Sequence, residues 1–328
     1  MKICFLDKTL FEYDFNDKYS PLLRGAETIL INLSKSVSLL GHEVFVFNNC
    51  RKSIKNGNYQ WNNINELTSK NNFFDVAIAN ADANLLNLIS APKKIVLSHS
   101  LQPIEKFIRK KQLYPYFKHK PKIFLLGEYH KKKRSILTSL YGTKIFTPGV
   151  DDIFINSEIK FPKHSNQAIF ASRSDRNLNI LIDIWKDYIY PKSDNYKLLI
   201  TPNNENTNNL KKNNIYFRKM DLQNNLIKDL SASKMMLVPG HKAELFCLAA
   251  EEARELCLPI ITLGIGCLKE RVDHGKTGFI AKNNFEFAQY VFDLFQDDNL
   301  YNSIVKNLLE LRGSKSWLNS AKNFLNQI

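Results

Sequence analysis

Short apolar runs alternate along the chain with stretches whose apolar residues recur at helical spacing. Residues 2–6, 44–47, 74–79, 94–97, 123–126 and 144–146 read as buried strands in the first half, and 168–171, 197–200, 215–217, 235–239 and 260–263 in the second. Between them, Ile29, Leu30, Leu33, Val37 and Leu40 share one side of a helix that Gly41 closes. Further helices are expected at 83–89, 128–140, from Leu178 to about 188, 222–232, 246–256, 285–295, 299–311 and from Trp317 to the end. Residues 51–72 carry little periodicity and are expected to be a short helix with loops. The Asn-rich run 201–214 reads as a low-complexity loop or a short, poor helix. Strand and helix in strict alternation predict an α/β fold with parallel sheets.

The stretch 237–281 is the most informative. A buried strand stops at Pro239-Gly240, a polar loop follows, and a helix over 246–256 carries Leu248, Ala249, Ala253 and Leu256 on one side. Leu258-Pro259 ends it, because proline cannot donate to the helix ladder. In such a βαβ unit, ligands sit at the carboxyl ends of the strands. Glu244 precedes the helix and Glu252 lies eight residues later, roughly 10 Å along the axis. The N–H groups between them suit an anion, and a carboxylate at either end suits a diol. This is the layout of a sugar nucleotide. Spacing alone favours reading both residues as surface carboxylates near a helix start, where acids are favoured anyway.

The order of residues 244–253, Glu-Leu-Phe-Cys-Leu-Ala-Ala-Glu-Glu-Ala, resembles the E-G-F-G-L-P-x-x-E-A signature of the retaining GT-B glycosyltransferases of family four, the glycosyl transferases group 1. Downstream, Leu258-Pro259-Ile260-Ile261, Gly266, Glu270 and the run 273–279 resemble that family's later segments in order and spacing. Leu245, Cys247 and Ala249 replace two family glycines and a proline. Earlier, Arg24-Gly25-Ala26-Glu27 resembles G-G-x-E, Pro148-Gly149-Val150-Asp151 resembles N-G-V-D, and Ser316-Trp317 resembles a terminal S-W segment.

The resemblance implies a GT-B fold: two Rossmann-like domains with parallel sheets facing across a cleft, and a C-terminal helix crossing back to the first domain. The domains would be 1–148, joined by 315–328, and 149–314, the first on the acceptor side and the second holding the donor. The implied reaction is retaining transfer of a sugar from a nucleotide donor such as a UDP- or GDP-sugar, with no metal and no other cofactor. Glu244 and His99 would be catalytic. Gly25, Arg173, Arg176, Phe246, Cys247, Leu248 and Glu252 would bind the donor. The loop around residues 219–222 would pass near the nucleobase.

Composition narrows the setting. With 44% hydrophobic and 12% aromatic residues, the 328-residue chain can fill packed cores, which excludes global disorder. Its five cysteines form no C-x-x-C pair and read as reduced, buried thiols. The apolar part of the first residues is too short for a signal peptide, and no run approaches the ~20 residues that span a bilayer. A cytoplasmic protein is expected.

The net charge of +14 implies an anionic partner or a compositional bias toward lysine. Basic and aromatic residues interleave from Lys106 to Lys120, and Lys131, Lys132, Lys133 and Arg134 follow. That mixture suits the inner face of an anionic membrane and a glycan or lipid-linked acceptor, in cell-surface glycan or lipopolysaccharide-type assembly. Three other readings stand beside it: a glycoside hydrolase with paired carboxylates, a non-catalytic sugar-nucleotide-binding module, and a glycosyltransferase modifying DNA. Nucleic acid is the less favoured partner.

Overall fold

A computed structural model describes residues 1–20, 22–67, 73–159, 165–201, 208–219 and 223–328. The chain forms two compact units. One is Met1–Gly149 with Lys315–Ile328, and the other is Val150–Ser314.

The first unit is built on eight strands: β1 (Lys2–Leu6), β2 (Glu43–Asn48), β3 (Ile54–Asn56), β4 (Tyr59–Asn63), β5 (Val76–Asn80), β6 (Lys93–Leu97), β7 (Lys122–Leu125) and β8 (Thr143–Ile145). Their order is β3-β4-β2-β1-β5-β6-β7-β8. All pairings are parallel except β3 with β4. The central strands β1 and β5 are almost wholly buried, which is why they read as unbroken apolar runs rather than alternating ones. Helix Gly25–Leu39 returns the chain from β1 to β2, and the last helix, Trp317–Leu325, packs against it. Phe324 from that helix meets Phe124 and Phe146, with ring centroids 4.7 and 5.6 Å away. Gly149 makes the crossing feasible: a Cβ there would lie 2.6 Å from Cα of Trp317.

The second unit carries β9 (Gln167–Ala171), β10 (Lys197–Thr201), β11 (Ile215–Phe217), β12 (Met235–Leu237), β13 (Ile260–Thr262) and β14 (Gly278–Ile280), all parallel, in the order β11-β10-β9-β12-β13-β14. This is the doubly wound order, and it reverses direction between β9 and β12. Helix Leu178–Ile184 follows β9 and helix Leu248–Glu255 lies between β12 and β13.

Several elements differ from the sequence expectation, three of them for a clear local reason. Residues 54–63 form an antiparallel hairpin, not a helix. Asn56-Gly57-Asn58 is a turn signal, Gly57 sits at φ +59°, and Tyr59 and Trp61 alternate inward. The helix expected over 128–140 is two, Glu128–Lys133 and Ile136–Ser139, because Ser135 turns extended and its side chain caps Leu137 N–H. The helix expected from residue 246 begins at Leu248. Cys247 takes left-handed angles (φ +62°), so the chain before it is a loop. Of the loop expected near a nucleobase, residues 220–222 lie outside the described residues, as do 68–72 and 202–207 of the two weakly patterned stretches.

Candidate functional site in the second unit

The crossover in strand order splays the loops after β9 and β12 apart at their carboxyl ends, leaving room for a ligand. Here those loops are tied together. Asn177, at φ +61° just before helix Leu178–Ile184, donates its side-chain amide to the carbonyl of Gly240 at 2.6 Å. Gly240 in turn sits against the loop after β13. A Cβ on Gly240 (φ +91°) would be 2.3 Å from the carbonyl oxygen of Ile265, and one on Gly266 (φ +74°) would be 2.2 Å from that of His241. Only glycine permits both the angles and the approach. Backbone bonds complete the clasp: Glu244 N–H donates to His241, and the Glu244 carbonyl accepts from Cys267 N–H.

Glu244 is thereby held at the mouth of the crossover. Burial raises the pKa of its carboxyl group, while the Cys247 thiol and then Arg176 oppose the rise; Asp175 adds to it. Its Oε2 is buried and accepts no hydrogen bond among the described residues. An orphaned buried acceptor costs about 1–3 kcal/mol, and a ligand hydroxyl would recover that.

Arg173 and Arg176 come from the loop after β9. Both guanidinium groups reach the same oxygen, Oδ2 of Asp175, at 2.8 and 2.9 Å. The Arg173 side chain is 66% exposed and that of Arg176 only 15%. Two cations sharing one carboxylate oxygen form a small positive site that a diphosphate could take over from Asp175.

Helix Leu248–Glu255 supplies the other groups. Cys247 is buried at its N-cap position and Leu248 is its first residue. Glu252 lies in the second turn, and its pKa is raised to about 7, first by burial and then by the charge of Asp151. Asp151 caps the short helix Asp152–Ile155, which packs on this one.

The ring of Phe246 turns inward, with the Arg271 guanidinium 4.5 Å from its centroid. Arg271 also pairs with Glu251 at 2.6 Å, and Arg254 bridges Glu251 and Glu255 at 3.4 and 2.8 Å. Glu255 accepts the Gly313 N–H at 2.7 Å. These buried pairs anchor the underside of the helix. Phe246 therefore has only its backbone to offer a ligand.

The second unit thus gathers Glu244, Arg173, Arg176 and Cys247, with Leu248 and Glu252 on the adjoining helix. Gly25 and His99 belong to the first unit. Gly25 opens helix Gly25–Leu39, where Glu27 accepts the Arg24 N–H in a capping box. His99 follows β6 and bonds Oδ1 of Asn80 at 2.6 Å.

Sequence reasoning missed Asp175, Asn177 and the Gly240–Gly266 clasp. Asp175 stands between two arginines, and Asn177 is a residue type that tolerates left-handed angles just ahead of a helix. Both signals were present in the sequence.

Residues 153–310 match the family model of glycosyl transferases group 1. Over these residues the chain is similar to that family. The match spans most of the second unit and just under half of the chain.

Among solved structures, the chain is similar over its full length to sucrose-phosphate synthase from Thermosynechococcus elongatus, with a TM-score of 0.72, 13% identity and coverage of 98% of that chain. It is similar to Anabaena HepE in complex with UDP-glucose, with a TM-score of 0.69, 15% identity and coverage of 100% and 99% of the two chains. It is also similar to WaaG, a glycosyltransferase involved in lipopolysaccharide biosynthesis, with a TM-score of 0.69, 12% identity and coverage of 99% of each chain. No curated protein matches the sequence. At these identities the structures show the fold: two parallel-sheet units of the GT-B class. Among the described residues, no helix is long and apolar enough to cross a membrane.

Proposed function

We propose that the protein is a retaining, metal-independent glycosyltransferase that moves a sugar from a nucleotide-sugar donor to a glycan or lipid-linked acceptor. The observation that carries this reading is an unpartnered carboxylate oxygen, Glu244 Oε2, within the electrostatic reach of two arginines at the strand-order crossover of the second sheet. Glu244 accepts hydrogen bonds from the sugar hydroxyls and stabilises positive charge at the anomeric carbon. Arg173 and Arg176 leave Asp175 for the donor diphosphate, and the first N–H groups of helix Leu248–Glu255 add to that charge. Glu252 holds the ribose. In the first unit, His99 and Gly25 keep the roles that the family resemblance implies, contact with a sugar and close backbone approach to a phosphate. A phosphate oxygen of the donor takes the acceptor proton, so bond breaking and bond making occur on one face of the sugar.

The acceptor side belongs to the first unit. Ile104, Ile108, Leu113, Tyr114 and Phe117 are exposed on the helices Ile104–Arg109 and Leu113–His119, beside Arg109, Lys110, Lys111, Lys118 and Lys120. Exposed rings and aliphatic groups among cations support peripheral binding to an anionic leaflet, and with it a role in cell-surface glycan or lipopolysaccharide-type assembly. HepE in complex with UDP-glucose supports a UDP-sugar as the first donor to try.

A thermal-shift screen of UDP- and GDP-sugars tests the donor reading, since a ligand that binds only the folded chain raises its stability. At least one should raise the midpoint, and the shift should be lost in Arg176→Ala. If none does, the donor site is refuted.

A further inference from the structure

The first sheet has its own crossover in strand order, between β1 and β5. A directional chain of hydrogen bonds is buried there. Asp7 follows β1, Asn80 ends β5, and His99 lies two residues beyond β6, so three neighbouring strands deliver them to one edge. Tyr13 O–H donates to Oδ2 of Asp7 at 2.5 Å. Asn80 Nδ2 donates to Oδ1 of Asp7 at 3.1 Å, and Asn80 Oδ1 lies 2.6 Å from Nε2 of His99. Asp7, Tyr13 and Asn80 are each at most 5% exposed.

The chain can run in only one direction. An ionised carboxylate accepts and never donates, so the NH2 of Asn80 must face Asp7. Its carbonyl oxygen then faces His99, and Nε2 of His99 must carry the proton. Burial raises the pKa of Asp7, and the bonds from Tyr13 and Asn80 oppose that rise by favouring the charged form. Burial, with the neighbouring His130 adding to it, lowers His99 to about 4, so the ring is neutral. His130 is fixed separately: its Nδ1 accepts the Leu126 N–H and its Nε2 faces the Ser100 carbonyl. The other nitrogen of His99, Nδ1, makes no hydrogen bond among the described residues.

We propose that Asp7 and Asn80 are positioning residues that hold His99 as its Nε2–H tautomer, presenting Nδ1 as a lone-pair acceptor for a ligand hydroxyl. This rests on the glycosyltransferase reading only for the identity of the ligand, a sugar. On that reading His99 accepts a hydrogen bond from a sugar hydroxyl and does not act as a proton donor to it. The buried carboxylate of Asp7 thereby sets, through two intervening bonds, which hydrogen-bonding sense the site offers.

The test needs no turnover, so it can fail independently of the reaction. In histidine-labelled protein, nitrogen chemical shifts separate protonated from bare ring nitrogens, and His99→Gln identifies the His99 signals among the seven histidines. The wild type should show Nε2 protonated and Nδ1 bare. In Asp7→Asn, the new amide keeps its oxygen toward Tyr13 and turns its NH2 toward Asn80. Asn80 must then reverse, and His99 should move to the Nδ1–H tautomer. Tyr13→Phe removes a bond without changing its sense and should leave the tautomer alone. An Nδ1–H or doubly protonated ring in the wild type would overturn the proposal, even if Asp7→Asn fails to fold. So would an unchanged tautomer in folded Asp7→Asn.

Discussion

Asn177 reaches across the crossover of the second sheet to bond the carbonyl of Gly240, joining loops 63 residues apart in sequence. The loop that bears both arginines is fixed by this bond to the loop that leads to Glu244. Asn177→Gly keeps the left-handed angles and loses the bond, at a cost of about 1 kcal/mol. Asn177→Ala loses the bond and strains the backbone by roughly a further 1 kcal/mol. Thermal midpoints should therefore fall in the order wild type, glycine variant, alanine variant. Donor affinity should weaken in both, because Arg173 and Arg176 lose their fixed distance from Glu244.

Cys247 occupies a left-handed position where the family it resembles has glycine. A side chain there costs about 1–2 kcal/mol. Cys247→Gly should raise the thermal midpoint. It should also raise the pKa of Glu244, because the thiol bond that favours the charged form is removed. Cys257, at φ +53° just past the same helix, provides a comparison away from the site: Cys257→Gly should stabilise without affecting Glu244.

Glu251 and Glu252 are neighbours with opposite duties. A helical projection points Glu251 away from the ligand face and marks it as a harmless control, but its side chain is only 1% exposed and pairs with both Arg254 and Arg271. Glu251→Ala leaves two buried cations short of a partner, a change that typically costs about 3–5 kcal/mol. It should lower the thermal midpoint sharply. Glu244→Gln should leave the midpoint unchanged or higher, since a buried carboxylate with one unpartnered oxygen is replaced by a neutral group, and should abolish activity.

The carboxyl group of Glu252 titrates near neutrality, at about 7. Its folded pKa lies above the unfolded value of about 4.3, so the folded state binds the extra proton and this group's stabilisation fades as pH rises from about 4 through 7. Donor binding should follow the opposite trend. Ribose hydroxyls donate to the ionised form, so the donor Kd should tighten on going from pH 6 to pH 8, by up to about tenfold per unit below the pKa. Glu252→Gln should bind more weakly and lose that pH dependence. An unchanged pH dependence would remove Glu252 from the donor site.

The basic, aromatic face of the first unit predicts sedimentation with anionic but not neutral liposomes, reversed by moderate salt. Replacing Lys131, Lys132, Lys133 and Arg134 with glutamine should weaken liposome binding and spare donor hydrolysis. Tight binding to duplex DNA in place of liposomes would favour a nucleic-acid acceptor.

The strands were legible because parallel, doubly covered strands leave unbroken apolar runs, as in Ile3-Cys4-Phe5-Leu6 and Ile260-Ile261. The hairpin over 54–63 was missed because its Asn-Gly turn lies in a polar stretch and only two residues, Tyr59 and Trp61, point inward. The start of helix Leu248–Glu255 was misplaced for a different reason. Nothing in a cysteine side chain announces left-handed angles, and the apolar spacing continues back to Leu245. Burial of Glu251 was illegible because its partner Arg271 comes from the far side of β13 in sequence. The hydrogen-bond chain from Tyr13 to His99 spans three separate segments, and only the fold brings them together.

Glu244 is the centre of the account, and one measurement tests it most directly: release of nucleotide from UDP- and GDP-sugars, with and without chelator, by the wild type and by Glu244→Gln. The account predicts that the wild type releases nucleotide from at least one donor, that chelation leaves the rate unchanged, and that folded Glu244→Gln releases none. Full activity in Glu244→Gln, or loss on chelation restored by magnesium or manganese, would contradict it.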